Sequence, residues 1–197
     1  MNEFRYIIGA TAEVRQGLIV WSDKIREYTN LYYDGNEQNA IRTEFYRCIV
    51  KTRQIIDNLL EKEEGFRSVI DDQNLLASVC IIQETSIFID DELTECVEIE
   101  SLVNSPWNTI EFPQLEKRKG AATSLVEAII IENRERGLSD ILKLMTIPDA
   151  KIFYQKIGFI ETNGSGEMIL DSNSASMFLL DIEQKRNSAA FDKIGLK

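Results

Sequence analysis

The stretch Gln114–Gly137, QLEKRKGAATSLVEAIIIENRERG, constrains the fold of this chain of 197 residues more than any other. Its second half has a helical pattern: Ala122, Leu125, Val126, Ile129 and Ile130 fall on one apolar stripe meant for a core. Glu127, Glu132, Arg134 and Glu135 lie off that stripe, and Gly137 is placed for a left-handed C-terminal cap. Directly ahead stand Lys117, Arg118 and Lys119, followed by Gly120-Ala121-Ala122 where the helix must begin. A helix start leaves its first N–H groups without intrahelical partners and carries partial positive charge. Small residues there let another group approach the backbone, and Gly120 can take dihedrals closed to other residues. With three cations added, the turn suits a polyanion, most simply a pyrophosphate. It suits equally a solvated basic turn whose small residues serve packing, and the stretch alone does not choose.

The length fits one domain with a sizeable core. With 33 acidic against 22 basic residues the net charge is -11, which repels phosphate backbones. No nucleic-acid partner is therefore expected, and cationic partners such as amines are weakly favoured. The chain has no histidine. That removes Ser-His-Asp, Cys-His and His-ligated metal chemistry, so acid–base work falls to Glu, Asp, Tyr, Lys, Cys or water. Cys48, Cys80 and Cys96 are far apart in apolar runs, with no C-x-x-C, so no metal site is expected and a reducing cytoplasm is. No apolar run is long enough for a signal peptide or to span a bilayer, so no membrane partner is expected.

Taken in order, Phe4–Ala10 reads as a short strand. Val14, Leu18, Trp21, Ile25, Tyr28 and Tyr32 then have helical spacing, with Thr11 as N-cap and Gly17 as a weak point. After the turn at Asp34-Gly35-Asn36, a second helical face runs from Ile41 to Leu59. The helical pair covers about 11–61, the sheet and binding core about 66–181, and a polar tail 182–197. Phe66–Ile70 and Leu75–Gln83 read as a hairpin turning at Asp71–Asn74, and Ser86–Asp90 as a small strand or loop excursion. Glu95–Val103 is a clear strand stopped at Asn104-Ser105-Pro106. On it Val97, Ile99 and Val103 face one way, while Cys96, Glu98, Glu100 and Leu102 face the other. Two carboxylates on one face fit a general base as well as a wet sheet surface. Asp140–Thr146 reads as a strand, Pro148–Ile157 as a helix closed by Gly158, and Ser176–Asp181 as a last strand.

Two motifs carry a family resemblance. K-R-K-G-A-A at 117–122 resembles the Gln/Arg-x-x-Gly-x-Gly/Ala signature of the GNAT superfamily of acyl-CoA N-acyltransferases. D-A-K-I-F-Y-Q-K-I-G-F at 149–159 resembles that family's Ala-x-x-x-Tyr-x-x-x-Gly-Phe segment. Order, and the helix and strand between them, also match, and the resemblance covers roughly Phe66–Leu180. Lys117 departs from the usual Gln or Arg, Ala122 replaces the last glycine, and Ile147 stands where asparagine is frequent.

The resemblance implies an α/β (α+β) fold with a mixed, mostly antiparallel sheet flanked by helices and an N-terminal helical pair. It implies acetyl-CoA as co-substrate, its pyrophosphate on Lys117, Arg118, Lys119, Gly120, Ala121 and Ala122, and its pantetheine arm along Leu102 and Val103. Tyr154 matches the family's general acid, and Glu98, with Glu100 as second candidate, its general base. A cysteine nucleophile at Cys80 or Cys96 is the lesser expectation, since buried cysteines are commonly inert. The implied activity is transfer of acetyl to the primary amine of a small molecule or peptide, in a family where homodimers are common. The alternatives are an acyl-CoA-binding regulatory module without transfer activity and a purely structural interaction protein.

Overall fold

The computed structural model describes residues 4–89 and 91–194, with side chains to 188. The element order is β1 (Arg5–Ile8), α1 (Ala12–Tyr32), α2 (Glu44–Asp57), β2 (Phe66–Ile70), β3 (Leu76–Ile89), β4 (Glu92–Asn104) and α3 (Pro106–Thr109). It continues with α4 (Ala121–Glu135), β5 (Leu142–Met145), α5 (Pro148–Ile157), β6 (Ile160–Glu161), β7 (Glu167–Leu170) and α6 (Ser172–Ile194). The strands form one sheet in the order β1-β2-β3-β4-β5-β7-β6. Val97 pairs with Leu142 in the parallel β4–β5 ladder, while β1–β2, β2–β3, β5–β7 and β6–β7 are antiparallel. A strand returning parallel needs a crossover, which α4 supplies. This is the mixed, mostly antiparallel sheet expected.

The chain forms two compact units. One is drawn from the stretch before Gln83 together with Ser101–Leu125; the other from Gln83–Glu100 and the chain from Val126 on. In the first, Thr11 caps α1 by accepting from the Val14 amide at 3.4 Å, and Val14, Leu18, Trp21, Ile25 and Tyr28 are buried as the spacing requires. Tyr32, also on that spacing, is only partly buried and stacks on Phe112. Gly17 is explained by packing: a Cβ there would come within 2.6 Å of the Leu76 side chain. Trp21 Nε1 donates to the Leu76 carbonyl at 2.8 Å, tying α1 to β3. The second helix starts later than its apolar pattern, because Thr43 caps it and Ile41 is exposed. At the hairpin, Asp71 Oδ1 accepts from the amides of Gln73 and Leu75 at 2.9 Å each.

Three expectations are corrected. Ser86–Ile89 continues β3 rather than making a separate strand or excursion, and Asp90 lies outside the described residues. Ser176–Asp181 is helical, because Asp171 starts α6: its Oδ1 accepts from the Ser174 amide at 2.7 Å and its carbonyl from Ala175 at 2.8 Å. That helix carries the expected tail as far as Ile194, and 195–197 lie outside the described residues. On α4, Ala122, Leu125, Val126, Ile129 and Ile130 are buried as expected, and Gly137 has φ 69°. Glu127 and Glu132, assigned to its polar side, are buried too. Each carboxylate has a guanidinium: Arg186 grips Glu127 at 2.5 and 2.7 Å, and Arg136 reaches Glu132 at 3.1 Å.

Candidate active site

The turn before α4 belongs to the first unit. Gly120 has φ 97°, a region that costs any L side chain strain, and it is exposed. Its carbonyl accepts the Ser124 amide at 2.8 Å, the first bond of the helix. The amides of Ala121, Ala122 and Thr123 are therefore not used within the helix, and a glycine before them offers no capping side chain. Lys117 and Lys119 are exposed. Arg118 is committed elsewhere. Its Nε meets Asp72 at 3.1 Å, its Nη1 meets the carbonyls of Leu115 and Lys117, and its amide donates to Asn108 Oδ1 at 2.8 Å. Arg118 and Asn108 thus shape the turn, while the two lysines carry its available charge.

The end of β4 belongs to the same unit. Leu102 and Val103 are both buried, where the alternating pattern put them on opposite faces of the strand. Their carbonyls are engaged: Lys51 Nζ donates to Leu102 O at 3.2 Å and Ser78 Oγ to Val103 O at 3.0 Å. Around them, Ser101 Oγ, Asn104 Oδ1, Ser105 Oγ and Asn108 Nδ2 are buried without a hydrogen-bond partner. Native proteins seldom leave such groups unpaired, and with Trp107 Nε1 there are five within eight residues, which marks a segment suited to polar contacts. Lys51 lacks the apolar signature by which its neighbours on α2 were read, and sequence spacing passed it over. Its position flanking the Cys48–Thr52 face was the available signal.

Glu98, Glu100 and Tyr154 belong to the second unit. Glu98 and Glu100 are half-buried, so this face of β4 is not simply wet. Glu98 meets Lys143 Nζ at 2.9 Å and accepts from Gln83 Nε2 at 3.4 Å. That hydrogen bond to Glu98 raises the Lys143 ammonium above the ordinary lysine range. Tyr154 is buried on α5, its ring edge-on to Phe153 and Phe159 at 5.0 and 5.5 Å. Gly158, with φ 111°, ends α5 and donates to the Tyr154 carbonyl at 3.2 Å. Ile147, the residue that departs from the family pattern, sits at the N-cap of α5 without a side-chain cap.

The three cysteines are buried and carry no disulfide. Burial pushes the Cys48 thiol up to about 11 and raises Cys96, the opposite of an activated nucleophile. Among the described residues no group of three or more His, Cys, Asp or Glu could hold a metal ion, and no helix is long and apolar enough to cross a membrane.

No protein-family model and no curated protein sequence matches the chain. Solved structures do. A putative acetyltransferase from Exiguobacterium sp. 255-15 aligns at 16% identity over 88% of this chain and 97% of that one, with a TM-score of 0.53. A GCN5-related N-acetyltransferase from Anabaena variabilis aligns at 15% identity over 81% of this chain and 32% of that one, with a TM-score of 0.52. The toxin AtaT aligns at a TM-score of 0.50 in two complexes. One holds the C-terminus of the antitoxin AtaR and acetyl-CoA (9% identity, 66% and 83% of the two chains). The other holds acetyl-methionyl-tRNAfMet (10% identity, 66% and 85%). The chain has the GNAT fold. The exclusion of nucleic acid is corrected by the same comparison: a protein of this fold is found with a tRNA, and net charge alone does not dispose of such partners because local potential decides.

Proposed function

We propose that this chain is a cytoplasmic, acetyl-CoA-dependent N-acetyltransferase that moves the acetyl group directly to a primary amine. The observation that carries the reading is the start of α4, where amides not used within the helix follow a left-handed Gly120 beside exposed Lys117 and Lys119, on a GNAT fold. Those donors fit a pyrophosphate: backbone N–H groups and two cations meet its oxygens, and nothing larger than a hydrogen at Gly120 obstructs the approach. The unpartnered groups from Ser101 to Asn108 fit the amide-bearing arm along Leu102 and Val103. Bound acetyl-CoA supplies the thioester. Tyr154 then holds the proton for the departing thiolate, and Glu98 or Glu100 takes a proton from the acceptor ammonium, directly or through water. Much of the rate enhancement is positioning. We read the two compact units as one functional domain, since β3, β4 and α4 run through both.

The acceptor class is an amine on a small molecule, a peptide or an aminoacyl group. A specific observation favours the second reading, an acyl-CoA-binding module without turnover: Glu98 is ion-paired to Lys143 and must release it to act as a base. Thiol release from acetyl-CoA across a panel of amines separates the two. Turnover lost in Tyr154→Phe, with acetyl-CoA still bound, supports the transferase. Binding with no thiol release across polyamines, amino acids, peptides and aminoacyl-tRNA supports the module.

A further inference from the structure

Lys51 is an expensive residue where it stands. It is half-buried, and its Nζ donates to a neutral carbonyl, Leu102 O at 3.2 Å, rather than to a carboxylate. Burial, reinforced by Arg47, lowers its proton affinity from the ordinary lysine value. The groups around it do not compensate. On α2, the Cys48 thiol is held neutral and donates to the Asn104 carbonyl at 3.3 Å, and the charge that acts on Lys51 is the like charge of Arg47. A methionine would fill similar volume at lower cost. The strand end that Lys51 touches is also short of partners, with Ser101 Oγ, Asn104 Oδ1 and Ser105 Oγ buried and unpaired. An ammonium held on a neutral carbonyl at a strand end with unpaired polar groups points to a ligand that completes both.

We propose that Lys51 is a binding residue for the peptide-like arm of the acyl-CoA, its ammonium bridging the Leu102 carbonyl and an amide carbonyl of that arm. The inference rests on the acetyl-CoA reading given above and adds to it a side chain from the N-terminal helical pair. An ammonium has three donors, and Leu102 takes one. Amide oxygens suit the remainder, since each further charge-assisted hydrogen bond offsets part of the cost of withdrawing the ammonium from water. The pyrophosphate belongs instead to the exposed cations at Lys117 and Lys119.

The test separates arm from nucleotide. Calorimetry compares acetyl-CoA with adenosine 3′,5′-bisphosphate, which lacks the arm, on wild type, Lys51→Met and Lys51→Arg. Lys51→Met weakens acetyl-CoA by about tenfold or more and leaves the bisphosphate within about twofold, as loss of a charged hydrogen bond requires. Lys51→Arg restores part of the loss, and the unliganded melting temperature of Lys51→Met equals or exceeds wild type. Equal losses for both ligands, or none for either, overturn the inference while leaving the acetyl-CoA reading in place. Failure of wild type to bind acetyl-CoA overturns that reading, and this inference with it.

Discussion

The two ends of β4 treat polar groups in opposite ways. From Ser101 to Asn108 buried side-chain polar groups stand without partners, the first amides of α4 are not used within the helix, and Lys51 donates to a neutral carbonyl. Upstream, Glu98 is matched by Lys143, and along the later turns of α4 Glu127 is matched by Arg186 and Glu132 by Arg136. Asn133 is the exception on that side, with both amide atoms buried and unpaired. Unpaired groups cost stability, so a fold keeps them where something else will pair them; paired ones need nothing further. On the reading proposed above, ligand recognition falls at the downstream end of the strand, and the question is whether the upstream end performs chemistry or only holds the fold together.

The largest effect falls on the downstream side. Gly120→Glu places a carboxylate where the pyrophosphate is expected and forces a side chain onto φ 97°, so acetyl-CoA affinity drops by about 100-fold or more in calorimetry. Tyr154→Phe comes next, lowering turnover by about 100-fold with acetyl-CoA affinity unchanged, the signature of a group that acts in the transition state. Glu98 sharpens the comparison further. If it is the base, Glu98→Gln loses turnover by about 10- to 100-fold while Lys143→Met keeps it. If it only pairs, both variants lower the melting temperature and neither alters turnover in the folded protein.

Arg186→Ala probes pairing alone. It strands the buried Glu127 carboxylate and destabilises by about 1–3 kcal/mol, discounted because the guanidinium is half exposed, without affecting acetyl-CoA affinity. The smallest effect is a pH dependence. Lys51 binds its proton less tightly in the folded than in the unfolded chain, so the unfolded state holds more protons between those two values. Stability contributed at this site therefore rises with pH as the folded-state group deprotonates, and levels off above the unfolded lysine value. Lys51→Met removes that rise, which unfolding titrations across alkaline pH would read.

Much of this contrast was legible before the structure. The α4 stripe, its glycine caps, the helical pair and the β4 carboxylates follow from periodicity, because a core-facing stripe leaves a regular trace in sequence. The α6 segment did not: Ser-Met-Phe-Leu-Leu-Asp has a short apolar run that fits either element, and only the Asp171 cap decides for helix. Glu127 and Glu132 were misplaced because sequence periodicity cannot see Arg186 or Arg136 arriving to neutralise them. Arg118 was read as free charge because its partner Asp72 lies 46 residues away. Lys51 and Asn108 gave no motif at all. Their importance rests on tertiary neighbours, a carbonyl on β4 in one case and the Arg118 amide in the other.

The most direct test of the account is thermal unfolding with acetyl-CoA, free coenzyme A and ATP compared at equal concentration. Ligand at about 100 times its Kd stabilises by about 2.7 kcal/mol, a rise in Tm of about 5–10 °C for a chain of this size. The account predicts that rise for both coenzyme A forms and little for ATP, which lacks the arm. No shift at millimolar acetyl-CoA would contradict it, leaving the unpaired groups at the end of β4 without the ligand they are read as awaiting.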